Sequence, residues 1–391
     1  MMKSSLKLTA AAAVAAFIAT SDIALAEEAG LTDTTIKIGM IGSLTGPAAL
    51  WGWPTINGAK MVYDDINANG GINGRKIELV IEDSQCQAPL ALAAAKKLIS
   101  RDEVFMLHGG SCSGAILPVR DLVLKEKVPM MVLVATADEI VAQPNGYIYR
   151  AFLPGSYDGE IIANFIATSP QLKKVVVVGN TDAVANVRYP KLEESIKANN
   201  LEYLGLEPLE VEATDATAQV LKVKSLNPDA VVLVARPEAS AVFLKDAAKL
   251  GLDVPVFGST LVDLQDLLER IGDPKPMANM NVVSFYKSTL TEAPMARWVD
   301  MLKKYYPDDK VQAAAFYGTS GALAVVEALK RAGPDLSREK MVQALSEIKD
   351  MDGGPMACSV TFAADDHEGC KTGSIWGMRD GNITALGDSW K

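Results

Sequence analysis

Histidine is nearly absent from this 391-residue sequence: there are two, His108 and His367. Chemistry that leans on imidazole, as general base or as metal ligand, has almost nothing to use. Cysteine is sparse as well, at four, and none stands in C-x-x-C spacing, which removes the common zinc and redox frameworks. Beyond residue 26 no apolar run approaches the roughly 18 residues that cross a bilayer. No G-x-x-x-x-G-K-[ST] string occurs, so the chain has no P-loop for hydrolysing a nucleotide. Positive charge is in deficit: 38 Lys and Arg face 48 Asp and Glu, a net charge of −10. Such an acidic balance argues against nucleic acid and anionic membrane as partners. Low-complexity tracts and short-period repeats are missing too.

What is present begins with a leader. Lys3 and Lys7 form a positive start, Leu8 to Ile18 a short apolar core, and Ala24-Leu25-Ala26 an A-x-A cleavage site. Residues 1–26 therefore read as a cleavable signal peptide, and the expected destination is the periplasm. Cleavage leaves 365 residues with a net charge near −11, room for two domains. In an oxidising compartment, Cys86, Cys112, Cys358 and Cys370 suggest two disulfides. Three pairings are open. Cys86–Cys112 with Cys358–Cys370 closes the shortest loops and is favoured.

Apolar strands alternate with helical patterns along the chain. Strands are expected at 36–41, 76–82, 104–107 and 130–134, with helices at 55–69, 88–101 and 114–127 between them. The rhythm restarts with strands at 175–178, 230–234 and 254–257 and helices at 188–199, 217–226 and 238–250. Residues 292–349 read as mostly helical, and 355–362 and 374–378 as late strands. Continuous apolar strands separated by helices imply parallel sheets covered on both faces. The expected fold class is α/β, with two doubly wound parallel-sheet lobes.

Ligands of open α/β sheets bind beyond the carboxyl ends of the strands. Small polar residues gather there: Gly42 to Pro47, Gly109 to Gly114, Ala135-Thr136, Gly179 to Asp182, Ala235 to Pro237 and Gly258 to Thr260. Ser113 begins a helix, where free N–H groups and the helix dipole hold an anion, and Thr136 can complete the shell. Taken singly, both are also ordinary helix caps.

These residues bring out a likeness. The chain resembles the periplasmic Leu/Ile/Val-binding protein family, type I solute-binding proteins of ABC importers. The matching text is Ile36-Lys37-Ile38-Gly39, Leu44-Thr45-Gly46-Pro47, Asp64-Asp65-Ile66-Asn67, Gly70-Gly71-Ile72-Asn73-Gly74, Glu82-Asp83 and Ala135-Thr136-Ala137, with Cys86 and Cys112 in register. It spans nearly the whole mature chain and weakens after about residue 180. The resemblance implies a two-lobed flytrap joined by a three-strand hinge: lobe one from 30–152 and 285–373, lobe two from 153–284 and 374–391. It implies capture of a small-molecule carboxylate by hinge closure, delivery to ABC permease subunits in the membrane, and a monomer without metal or cofactor. It also supports the Cys86–Cys112 bridge.

Carried over residue by residue, the carboxylate cradle falls on Ser113, Thr136 and the backbone at Val134, and the aromatic of the cleft mouth on Trp51. The second lobe departs. Where the family's amino-acid binders supply two tyrosines and a glutamate, this chain has Val184, Ala235 and Thr260. A buried ammonium without an anion is costly, so a ligand lacking an α-amino group is expected, an aromatic acid among the candidates. Arg236 is placed to pair with an acid or hydroxyl, whereas Asp182, as the missing anion, would favour a branched-chain amino acid. A ligand-sensing module acting through a partner is a further alternative. An enzyme is not expected: Gly110-Ser111-Cys112-Ser113-Gly114 mimics a nucleophile elbow, but His108 lies on the incoming strand and His367 is expected in a solvated turn.

Overall fold

The computed structural model describes residues 28–46, 48–142 and 146–390; the expected leader, residues 1–26, lies outside them. Two runs of buried parallel strands organise everything else. The first comprises β1 (Thr35–Gly42), β2 (Lys76–Asp83), β3 (Met106–Gly109), β4 (Met130–Val132) and β5 (Ile148–Arg150), in the spatial order β2-β1-β3-β4-β5, all parallel. Helices α1 (Ala49–Ala68), α2 (Ala88–Ser100) and α3 (Ser113–Glu126) make the crossovers.

After β5 the chain crosses to a second sheet. There α4 (Tyr157–Ala167), β6 (Lys174–Gly179), the one-turn α5 (Ala183–Asn186), α6 (Tyr189–Ala198), β7 (Glu202–Pro208), α7 (Thr217–Leu226), β8 (Ala230–Val234), α8 (Pro237–Lys249), β9 (Val256–Gly258), α9 (Leu264–Ile271) and β10 (Met280–Ser284) follow one another. The chain then returns: α10 (Ala293–Tyr305) and α11 (Thr319–Ala332) pack on α1, and α12 (Arg338–Ser346) packs on α11. A two-residue ladder of β11 (Met351–Asp352) with β12 (Ser359–Val360) precedes a third crossing. The chain ends with β13 (Gly373–Arg379) and β14 (Asn382–Trp390), antiparallel on the far edge of the second sheet, whose order is β14-β13-β10-β9-β8-β6-β7. Both sheets repeat one strand order, so each has its switch point beside its first strand, between β1 and β3 and between β6 and β8. The fold is α/β with two lobes, as expected.

Several elements differ from the sequence reading. The helix expected from 55 begins six residues earlier, at Ala49, with Pro54 inside it. Gly52 makes this start possible: a Cβ there would meet the Ser43 carbonyl oxygen at 1.7 Å. The strand expected at 355–362 shrinks to β12. The nine-residue β14 was not anticipated, because an outer strand with a wet face lacks the apolar run that marks β6 and β8. His367 is buried, not solvated: it stacks on Tyr149 with ring centroids 4.0 Å apart, and its Nδ1 lies 2.9 Å from the Ile148 carbonyl oxygen. Asp64 and Asp65 accept hydrogen bonds from Tyr306 and Tyr305 of the returning segment.

Cys86 is bonded to Cys112 and Cys358 to Cys370, the favoured pairing. Cys112 is thus oxidised, and no cysteine among the described residues is free. The Gly110–Gly114 string therefore carries no thiolate.

Candidate ligand cleft

In the first lobe the loops after β3 and β4 meet through one hydroxyl. Ser113 is the first residue of α3, and the N-cap residue before it, Cys112, makes no side-chain cap bond. Its Oγ accepts from the backbone N–H groups of Thr136 at 3.2 Å and Ala137 at 3.1 Å. Both hydroxyl lone pairs are thereby used, and the remaining capacity of Ser113 is its proton, a donor. Beside it the Gly114 N–H belongs to the unpaired first turn of α3, and space around its Cα is open. Thr136 and Val134 are half-buried in the adjoining loop, with the Val134 N–H donating to the Gly110 carbonyl at 3.1 Å. A hydroxyl donor, a threonine and a helix N-terminus converge here, the makings of an anion cradle.

Trp51 stands on the first turn of α1, about half exposed at 49%, and stacks on Tyr317 with centroids 6.3 Å apart and planes 10° from parallel. Tyr317 in turn stacks on Tyr286 at 5.8 Å and meets Phe152 and Phe285 edge-on at 5.4 Å. Phe152 and Phe285 lie on the first and second crossings, so an aromatic floor joins the hinge to the Trp51 wall. Sequence reasoning found Trp51 and missed Tyr317, which sits in a stretch whose Ala-rich neighbours look like plain helix core.

The second lobe presents two ion pairs. Arg236 precedes α8 and donates from Nε and Nη2 to the Asp182 carboxylate at 2.9 and 2.6 Å. Asp182 also caps α5 through Ala185 N–H. Neither group is a lone charge. Deeper, Arg188 donates from Nε to Asp158 at 2.8 Å, and both side chains are almost wholly buried. Thr260 donates its N–H and hydroxyl to the same carboxylate, at 3.2 and 2.8 Å. Burial pushes the Asp158 carboxyl up, against the pull of Arg188 and Thr260. The Arg188 guanidinium lies under Gly155 of the first crossing, where a Cβ would come within 3.1 Å of it. Val184 is exposed on this wall and its carbonyl accepts from Arg188. Ala235, by contrast, is fully buried in a core of the lobe with Val176 and Val178. Arg188 and Asp158 were not singled out from the sequence. An arginine between a one-turn helix and a Tyr-Pro start reads as a solvated turn residue, and only the fold brings Asp158 to it from 30 residues away.

A groove of about 870 Å3 opens beside this floor, between α9 and α10, with Tyr286, Leu268 and Asp263 in its lining. Burial pushes the Asp263 carboxyl up although two backbone N–H groups of α9 hold it. Among the described residues no cluster of His, Cys, Asp and Glu is built to hold a metal, and no helix is long and apolar enough to cross a membrane.

Comparison with known proteins agrees with this architecture. The chain is 28% identical over 267 residues to the leucine-, isoleucine-, valine-, threonine- and alanine-binding protein of Pseudomonas aeruginosa, covering 68% of this chain and 69% of that one. It is 27% identical over 384 residues to Leu/Ile/Val-binding protein homolog 7 of Brucella suis, covering 94% and 95%. The crystal structure of a branched-chain amino acid ABC transporter protein of Thermus thermophilus with bound valine superposes with a TM-score of 0.79 at 18% identity, over 92% of this chain and 97% of that one. Residues 35–379 match the family described as periplasmic binding protein, and the chain belongs to that family.

Proposed function

We propose that the protein is the periplasmic solute-binding component of an ABC importer and captures a small organic carboxylate without an α-amino group, an aromatic acid among the candidates. Its two lobes, 30–152 with 285–373 and 153–284 with 374–391, close on the ligand about the three crossings. The cradle at Ser113 and Thr136 takes the carboxylate, and Trp51 with Tyr317 flanks the ligand body. The observation that carries the reading is the second-lobe wall. Its carboxylates, Asp158 and Asp182, are each already bonded to a guanidinium. An arriving ammonium meets Arg188 and Arg236 instead of a free anion, and a buried ammonium without one is disfavoured by several kcal/mol, about 2–7 even for a neutral polar group.

A branched-chain amino acid is the second reading, and Asp263 favours it. A carboxylate held up by desolvation gains most from an incoming cation. The names of the P. aeruginosa and B. suis relatives point the same way.

The test is a thermal-shift screen of the mature protein, unfolded and refolded to strip carried-over ligand. The panel sets leucine, isoleucine, valine and phenylalanine against benzoate, phenylacetate, cinnamate and short aliphatic acids. At a hundredfold excess over Kd a ligand adds about 2.7 kcal/mol. Stabilisation by acids lacking the amine supports the proposal. Stabilisation by amino acids alone replaces it with the Asp263 reading.

A further inference from the structure

The cradle loop has a second set of supports. Arg150, at the end of β5, is fully buried at 0% exposure. Its Nη1 donates to the carbonyl oxygens of Ala135 at 2.8 Å and Ala137 at 3.0 Å. These are the two carbonyls on either side of Thr136. Its Nε and Nη2 face the other way and grip both oxygens of Glu368, the first at 2.8 Å. Glu368 lies inside the loop closed by Cys358–Cys370. The main chains pair as well: Arg150 N–H donates to His367 at 3.0 Å and Gly369 N–H to Arg150 at 2.8 Å. Seen from Thr136, the amide protons on one side are held by Ser113 Oγ and the carbonyls on the other by Arg150.

We propose that Arg150 and Glu368 are positioning residues for carboxylate recognition, through which the Cys358–Cys370 loop sets the conformation of the 135–137 loop. The inference rests on the reading of Ser113 and Thr136 as the cradle. A planar fork is what the arrangement requires, because one guanidinium reaches two carbonyls and two carboxylate oxygens at once. Lysine keeps the charge and loses the fork. In Arg150→Lys the Ala135 and Ala137 carbonyls compete for one ammonium with Glu368, and the loop gains alternative conformations. Such conformations lower affinity by the fraction of time the competent one is lost.

The experiment needs no knowledge of the natural ligand at its first stage. Amide hydrogen exchange is measured on the ligand-free full-length mature protein for wild type, Arg150→Lys, Glu368→Gln and Ser113→Ala. Exchange at Thr136 and Ala137 should speed up at least tenfold in the first two variants, while the β3 amides of Leu107 and His108 keep their wild-type rates. Ser113→Ala, which removes the acceptor of both amides, is the positive control. Unchanged exchange at 136 and 137 overturns the proposal, and so does an equal rise in β3, which reports plain destabilisation. At the second stage phenylacetate and leucine are titrated calorimetrically into each protein. At least fivefold weaker binding in Arg150→Lys, for whichever probe wild type binds, is expected. Wild-type affinity in Arg150→Lys beside weakened Ser113→Ala overturns the positioning role and leaves the cradle standing. Wild-type affinity in Ser113→Ala overturns the cradle itself. If wild type binds neither probe, the exchange rates decide.

Discussion

Arg188→Met offers the sharpest test of how the second lobe selects its ligand. Methionine keeps much of the aliphatic stem and removes the charge. Asp158 then loses the guanidinium bonded to it and keeps the N–H and hydroxyl of Thr260. Stripping one partner from a buried ion pair costs about 3–5 kcal/mol, because the other charge stays behind unpaired. At about 2 cal/mol/K of unfolding entropy per residue over the mature chain, the melting temperature should fall by roughly 5 °C. The gain is in recognition. The guanidinium vacates a space beneath Gly155, next to an orphaned carboxylate and beside Val184 on the cleft wall. That is a site for an ammonium. A hydrogen bond to a charged group contributes about 1.5–3 kcal/mol, or 10- to 150-fold in affinity. Leucine and 4-methylpentanoate differ only in the amine, so their affinity ratio isolates this term. Titration calorimetry is run at pH 8 to favour the ionised form of Asp158, whose pKa burial raises. The expected outcome is a wild type that favours 4-methylpentanoate and a variant whose ratio shifts at least tenfold toward leucine. Adding Asp158→Asn should recover part of the stability and abolish the shift. A wild type that already prefers leucine, or a ratio that Arg188→Met leaves unaltered, refutes the reasoning.

Ser113→Ala strands the Thr136 and Ala137 amides and removes the hydroxyl donor, so calorimetry should show carboxylate binding weakened by about 1–3 kcal/mol. Trp51→Ala removes one face of the stack on Tyr317 and should weaken cinnamate more than acetate in the same titration; equal losses would remove Trp51 from the ligand wall. Burial holds His108 down to about 3, against 6.5 in a free chain, so between those values the unfolded chain binds more protons and stability falls as pH drops. Urea unfolding at pH 6.5 and 5.0 should differ by about 2 kcal/mol from this group, and His108→Gln should flatten the difference. The paired change Cys358→Ser with Cys370→Ser opens a short loop and should lower stability by about 2–4 kcal/mol in thermal unfolding.

Most of the frame was legible because buried parallel strands announce themselves. Val175 to Val178 and Ala230 to Val234 are apolar without a break, and β6 and β8 cover both. β7 and β14 escaped because edge strands carry polar residues on their open side, and β5 because three residues are too few to show a period. The cradle was legible in part. Ser113 and Thr136 lie at strand ends where a dipole and a turn meet, which local chemistry flags. Arg150 and Arg188 were not, since their meaning lies in partners 218 and 30 residues away, Glu368 and Asp158. A charged residue reads as solvated until the fold buries it, and His367 was misjudged for the same reason. At Ala235, a position carried over by linear register, and its neighbour Arg236, the fold separates the side chains: Ala235 is buried and Arg236, just before α8, is partly exposed.

Those distant pairs also tie the cradle to the hinge. The Thr136 carbonyl accepts from Gly155 N–H at 3.2 Å, and Ser156 Oγ donates to Asp138 at 3.0 Å, so the proposed cradle loop is bonded directly to the first crossing. Gly155 in turn lies on the guanidinium of Arg188, which binds Asp158 and, through it, Thr260. A rotation at residues 151–156 therefore has to preserve or exchange bonds at both ends, one at the cradle and one at the opposite wall. Hinges absorb backbone change at a few positions. Gly155 suits that role because a Cβ there would come within 3.1 Å of the Arg188 guanidinium, a tighter contact than side chains ordinarily make. In the proposed reading, carboxylate binding and lobe closure would share this handful of hydrogen bonds. A ligand that reshaped the 135–137 loop would then act on the crossing without touching it.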